Sequence, residues 1–449
     1  MERRPQRLIR AALAARISDR RRIRAGRVRF CTGLPTSRGM SVQAARADHD
    51  AVEKPREVLI SRQPVVDREM RVTGYRVSYA SAYPNRSAEP SATRLFGDVL
   101  SVVGLEELVG GSLAHLPVSR ELLLTLGIPP VRPDRVMLRV SYETASDPEI
   151  SEILEGLASR GYALAVYELP GPDVDTELLE LFGTVEIDLA SFGEQQAAQA
   201  VKRILAGQAT PLAVGLPDHE AYEAAKTLGF VLFTGKFFNT PRLEAVRDVP
   251  VAGMSSLVSL VRLQGDQASI EELERVIDHD VGLSVKLLRY INSAYFGLRS
   301  NIGSIKQAVM MLGARGVSRW AMMIALTGSP STPRELAVTA LTRARMCELL
   351  GVSRGDVGAD ELFTIGLLSV ADALLDRPLA TILADLPLAD GPAAALLRRE
   401  GSAGAILQAV IDYEVANFGT DSVQAHRAAV GIAYMDALRW AQETLFAAV

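Results

Sequence analysis

The chain has 449 residues, 48% of them apolar and 23% charged, with a formal net charge of -4. That is enough apolar material for two ordinary cores, and two or three domains are the default at this length. Its two cysteines, Cys31 and Cys347, form no CxxC pair, which argues against a disulfide framework and a cysteine zinc site. No run of eighteen apolar residues occurs, so no bilayer span is expected. The Arg-rich N-terminus lacks the apolar stretch of a secretory signal, and the expected location is the cytoplasm.

Charge is spread unevenly. Residues 1–50 hold 13 Arg, no Lys and 4 acidic residues, about +9, which leaves -13 on the remainder. Residues 1–56 therefore read as a basic, disordered arm, able to meet nucleic acid, acidic lipid or the acidic body of its own protein. A solvated tail is the favoured reading, and Met40 offers an alternative start to Met1. The acidic body argues against a broad nucleic-acid-binding face, so nucleic acid is not an expected partner.

From residue 57 short apolar strands alternate with helical segments. Strands are expected at Val58–Ser61, Val72–Tyr79, Arg135–Val140, Leu164–Val166, Val185–Ile187, Leu212–Val214 and Val231–Phe233. Helices are expected at Asp98–Val109, Glu149–Arg160, Ala197–Leu205 and Glu220–Leu228, and Leu178–Phe182 opens a further step. This order implies a mainly parallel sheet, most economically a (β/α) barrel over 57–241. Thr240-Pro241 through Pro250 reads as the linker, 242–250. Residues 251–449 are nearly all helix. Ser269 with Glu272, and Ser304 with Gln307, are capping boxes, and Gly313 stops the helix IKQAVMML. Loops are expected at Gly328–Pro333 and near Gly351–Gly358.

Four strings, in order, carry a resemblance. ISRQPVVDREMRVTGYRVSYA resembles the opening of EAL domains of the EAL–HDOD class, and LGFVLFTGKFFNTP resembles their end. IDHDVGLSVKLLRYINSAYFGLRSNIGSIKQAVMMLGARGV is similar to the HDOD core, with Asn292-Ser293-Ala294 before Phe296-Gly297. ELFTIGLLSVADALLDRP followed by LADLPL is similar to the later HDOD helices. The resemblance implies an α/β plus all-α chain: a degenerate EAL-type (β/α) barrel followed by an all-helical HDOD domain, in a bacterial signalling protein.

Active EAL domains hydrolyse cyclic di-GMP with two divalent metals held by carboxylates at the C-terminal end of the barrel. Carried over by resemblance, the motif Glu falls on Arg76, the Asn ligand on Pro117, and the next strand's Glu on Arg139. The acidic pair falls on Tyr167 and Glu168. The Lys-x-Asp step becomes Glu186 with Asp188 retained, the late glutamates fall on Val214 and Pro217, and the Gln before Gly235 is Thr234. A guanidinium cannot bind a metal and repels one. No catalytic residue, metal or cofactor is therefore expected. Two roles stay open for Arg76 and Arg139: ion pairing with Glu168 or Glu186 in place of metals, or holding an anion by bidentate donation.

HD-type phosphohydrolases resemble HDOD domains but place a His-Asp metal pair where this chain has Ser369 and Val370. His279-Asp280 is a His-Asp dipeptide at the wrong place, and His279 reads as a helix-end surface residue. No Walker loop, nucleophile elbow or catalytic triad is present. The expectation is a non-catalytic regulatory protein that meets an unidentified signalling partner through the HDOD domain. The alternatives are a cyclic di-GMP receptor without hydrolysis, and a nucleic-acid-associated regulator using the basic arm.

Overall fold

The computed structural model describes residues 58–81, 96–97, 104–173, 180–241, 251–262, 270–292, 302–328, 332–352 and 357–448. The expected arm and the linker lie outside them, as do Ser269 and residues 293–301 of the HDOD-like string. Among the described residues eight strands close into a barrel in chain order. They are β1 (Val58–Val66), β2 (Val72–Ser81), β3 (Leu113–Pro117), β4 (Val136–Ser141), β5 (Ala163–Tyr167), β6 (Thr184–Asp188), β7 (Thr210–Leu216) and β8 (Leu232–Gly235). β1 runs antiparallel to both neighbours, and the other pairs are parallel.

The connecting helices are α1 (Leu105–Val109), α2 (Arg120–Leu126), α3 (Tyr142–Ala145), α4 (Pro148–Ser159), α5 (Leu189–Phe192), α6 (Glu194–Ala206) and α7 (His219–Leu228). Short polar side chains punctuate the strand-to-helix steps. Ser119, Asp147, Asp188 and Asp218 each accept a first-turn N–H of the helix that follows, satisfying a donor the helix itself cannot pair. Each expected strand is present, and β3 is an addition. β1 also runs five residues beyond Ser61, because its partner β2 continues as far as Val72 and pairs with it throughout.

Strand alternation sorts the side chains. One set, including Leu116, Leu138, Val140, Val185 and Ile187, packs beneath the helices. The other faces the barrel interior. Val65, Leu212 and Val214, with Leu232 against them, fill one side of that interior.

The helical half holds α8 (Val251–Arg262), α9 (Ile270–Asp278), α10 (Val281–Ile291), α11 (Ile305–Thr327), α12 (Arg334–Val352), α13 (Ala359–Leu368), α14 (Ala371–Leu375), α15 (Leu379–Asp385), α16 (Asp390–Arg398), α17 (Gly401–Glu414), α18 (Asp421–Gln424) and α19 (Arg427–Ala448). Ser304 caps α11 by accepting the Gln307 N–H at 3.2 Å, while the Gln307 side chain reaches back to the Gly303 N–H at 2.8 Å. Gly313 interrupts α11 with φ +77°, a conformation that favours glycine, and the helix resumes at once. The expected stop is thus a break within one longer helix. α11 is the one described helix long and apolar enough to cross a bilayer by length and composition, and many of its residues are buried in this core. Barrel and helices belong to a single compact unit, Glu57–Val449, joined where α17 and α19 lie against β1.

Candidate functional site

The sequence places charge where a barrel usually hides apolar side chains. Arg76 on β2, His115 on β3, Arg139 on β4 and Glu186 on β6 all face the interior. In the parallel register Arg76 pairs with His115, Arg139 with Ala165, and Ala165 with Thr184. The small side chain of Ala165 lets Arg139 reach across β5 to Glu186. Arg139 Nε and Nη2 donate to Glu186 Oε1 and Oε2 at 2.5 and 2.8 Å, a bidentate pair that is 3% exposed on both sides. Arg76 Nη2 approaches the same carboxylate at 3.7 Å. Tyr167 lies with its ring under the Arg139 guanidinium, 4.8 Å from its centroid. Burial alone would raise the Glu186 pKa, but Arg139 and then Arg76 outweigh it and hold the carboxyl below its ordinary range.

Of the two acceptors weighed for the arginines, Glu186 takes both. Glu168 is exposed and turns away, because its backbone enters the left-handed region at φ +59° directly after β5. Asp188 is engaged with helix α5, accepting from the Ala190 N–H at 3.0 Å and the Ser191 hydroxyl at 3.1 Å. The Pro117 carbonyl accepts the Tyr79 hydroxyl at 2.9 Å. Val214 sits in the interior apolar plug, and Pro217 follows the end of β7.

Sequence reasoning missed His115. It is 1% exposed, its Nδ1 has no hydrogen-bond partner, and burial drives its pKa from 6.5 down to about 4. The alternation in LAHLP would have revealed both the strand and the inward-facing histidine. Ser61 Oγ, Arg76 Nε and Thr234 Oγ1 are likewise buried without a partner, and with His115 they lie on the contiguous strands β8, β1, β2 and β3.

The helical half has its own buried pair. Arg343 donates through Nη2 to Glu414 Oε2 at 2.7 Å and through Nη1 to Ser369 Oγ at 3.0 Å. Ser369 ends α13, its hydroxyl donates to the Gly366 carbonyl, and Val370 is fully buried. His279 is exposed at the end of α9, and its Nδ1 lies 2.7 Å from the Arg275 carbonyl oxygen. Asp280 is the cap of α10. Among the described residues no group of three or more His, Cys, Asp or Glu side chains is placed to hold a metal ion. The donor set at the barrel mouth, two guanidinium groups sharing one carboxylate, does not fit a pair of divalent cations.

Residues 254–375 match the HDOD domain family. Across most of the chain two relatives are similar. The uncharacterized protein YuxH of Bacillus subtilis is 25% identical over 399 residues, 85% of this chain and 98% of YuxH. The cyclic di-GMP phosphodiesterase CdgJ of Vibrio cholerae is 26% identical over 405 residues, 86% of this chain and 92% of CdgJ. The chain joins a closed eight-stranded barrel to a helical half that carries the HDOD match. Solved structures similar to it include YkuI of Bacillus subtilis, a protein with an EAL domain in complex with cyclic di-GMP and calcium. There the TM-score is 0.35 at 16% identity, covering 57% of this chain and 72% of YkuI. Klebsiella pneumoniae BlrP1 gives a TM-score of 0.33 at 16% identity over 40% of this chain, which spans 55% of BlrP1.

Proposed function

We propose that this EAL–HDOD chain is a cytoplasmic signal-transduction protein without phosphodiesterase chemistry, working through protein contacts of its HDOD domain. The observation that carries this reading is the buried Arg139–Glu186 pair with Arg76 beside it. Hydrolysis by two hard cations requires carboxylates free to hold them. Here the inward carboxylate is already bound by one guanidinium and faced by a second. The HDOD domain keeps a filled core around Ser369 and Val370, so what it offers a partner is its surface. Purified full-length chain incubated with cyclic di-GMP and Mg²⁺ or Mn²⁺ is expected to leave the nucleotide intact. Metal-dependent turnover that disappears in Glu168→Ala would overturn the reading.

A second reading, a cyclic di-GMP receptor without hydrolysis, is favoured by Arg76. Its side chain is 27% exposed and its Nε has no partner, so the guanidinium retains donors for a phosphate. Calorimetric titration decides this. Saturable binding weakened at least about tenfold by Arg76→Ala supports the receptor, and absence of binding leaves the arginines as ion-pair partners only.

A further inference from the structure

β1 is the strand with an exposed problem. It pairs with β2 along its whole length, but with β8 only at Val66 opposite Phe233. The edge from Leu59 to Val65 therefore presents backbone groups beyond the reach of β8, and its residues are buried apart from the half-buried Gln63. Unpaired buried N–H and C=O groups are costly, so each needs a partner. Two come from the helical half. The Tyr413 hydroxyl, on α17, accepts the Ile60 N–H at 2.9 Å and donates to the Ile60 carbonyl at 2.8 Å. The Tyr434 hydroxyl, on α19, accepts the Arg62 N–H at 3.2 Å. The two rings pack with centroids 5.2 Å apart, and both are buried.

The residues between and beside these anchors face the other way. In the β1–β2 register Ser61 lies opposite Ser78, and Gln63 opposite Arg76. We propose that Tyr413 and Tyr434 form a latch through which the helical half sets the position of β1, and with it the inward residues Ser61 and Gln63 beside Arg76 at the barrel mouth. The latch is a regulatory connection: a partner that shifts α17 or α19 loosens the strand lining the mouth. It stands whether or not the mouth binds a nucleotide.

The test uses the full chain carrying Tyr413→Phe with Tyr434→Phe. Two quantities are measured: amide hydrogen exchange of peptides from β1, and the rate at which phenylglyoxal modifies Arg76, read by peptide mass spectrometry. Exposed Arg132 is the internal reference. Leu273→Ala, a cavity variant at a fully buried position of α9, which packs on α8, α10 and α11 and not on the latch helices, controls for general loss of stability. The expected result is exchange in β1 at least fivefold faster and Arg76 modification at least threefold faster, with Arg132 unchanged and neither effect in Leu273→Ala. Unchanged β1 exchange would overturn the latch. Faster β1 exchange with unchanged Arg76 modification, or equal effects in Leu273→Ala, would overturn its reach to the mouth. Should the double variant fail to fold, Tyr434→Phe alone, which removes one bond and keeps the Tyr413 anchor, is read against the same outcomes.

Discussion

Arg139 and Glu186 stand on strands separated by β5, yet two parallel hydrogen bonds join them inside the barrel, almost sealed from water. Such a pair gains strong Coulomb attraction in a low dielectric and loses comparable hydration, so its net worth is small while its disruption is expensive.

Removing one partner is therefore the informative change. Glu186→Gln is expected to destabilise the chain by roughly 3–5 kcal/mol, because Arg139 is left buried with a neutral partner and with Arg76 close by. Replacing both, Arg139→Met with Glu186→Leu, is expected to cost much less than the single change. Urea denaturation of the two variants beside the native chain checks this, and a double variant as damaged as the single one would contradict it.

Arg343 and Glu414 make the corresponding prediction in the helical half. Glu414→Gln removes the carboxylate but leaves the Ser369 hydroxyl as an acceptor for Arg343. The expected loss is about 3 kcal/mol, at the low end of the range for a broken buried pair. Adding Ser369→Ala is expected to deepen it by roughly 1 kcal/mol, the usual worth of one hydrogen bond.

Much of this was legible locally. The Arg76, Arg139 and Glu186 positions follow from the resemblance of short strings, and capping residues mark the helix starts. Which carboxylate takes the arginines was not legible. It depends on the left-handed turn at Glu168 and on the small Ala165 between β4 and β6, both properties of register rather than composition. The latch was hidden for a different reason. Ile60 and Tyr413 are 353 residues apart, and a tyrosine in an apolar helix face carries no sign that its hydroxyl meets a distant strand edge.

Asn292 illustrates how a motif residue earns its place structurally. Its amide donates to the Ile302 carbonyl at 2.8 Å, and its Oδ1 accepts the Ile302 N–H at 2.6 Å, so it ties the end of α10 to the segment that leads into α11. Asn292→Ala is expected to cost about 1–3 kcal/mol through the groups left unpaired. Asn292→Asp, which keeps the acceptor but loses the donor, should fall between. Thermal melts of both variants provide the comparison.

His115 gives the chain an acid-side signature. Burial, with help from Arg139 and Arg76, lowers its folded-state pKa from 6.5 to about 4, although Glu186 pulls the other way. The unfolded chain therefore takes up a proton near pH 6.5 that the folded chain resists until about pH 4. The stability associated with neutral His115 is complete above pH 6.5, declines as pH falls toward 4, and is gone below it. A shift of this size corresponds to a loss of order 3 kcal/mol across the window. Glu186 contributes with the same direction but only at lower pH, since Arg139 holds its carboxyl below the ordinary carboxylate value of 4.5. The interval between pH 6.5 and 4.5 thus separates the contribution of His115 from that of Glu186. Urea midpoints measured across that interval should fall steadily for the native chain, while His115→Gln, which cannot titrate, should start lower and vary distinctly less. Equal slopes for the two proteins would show that the acid sensitivity originates elsewhere.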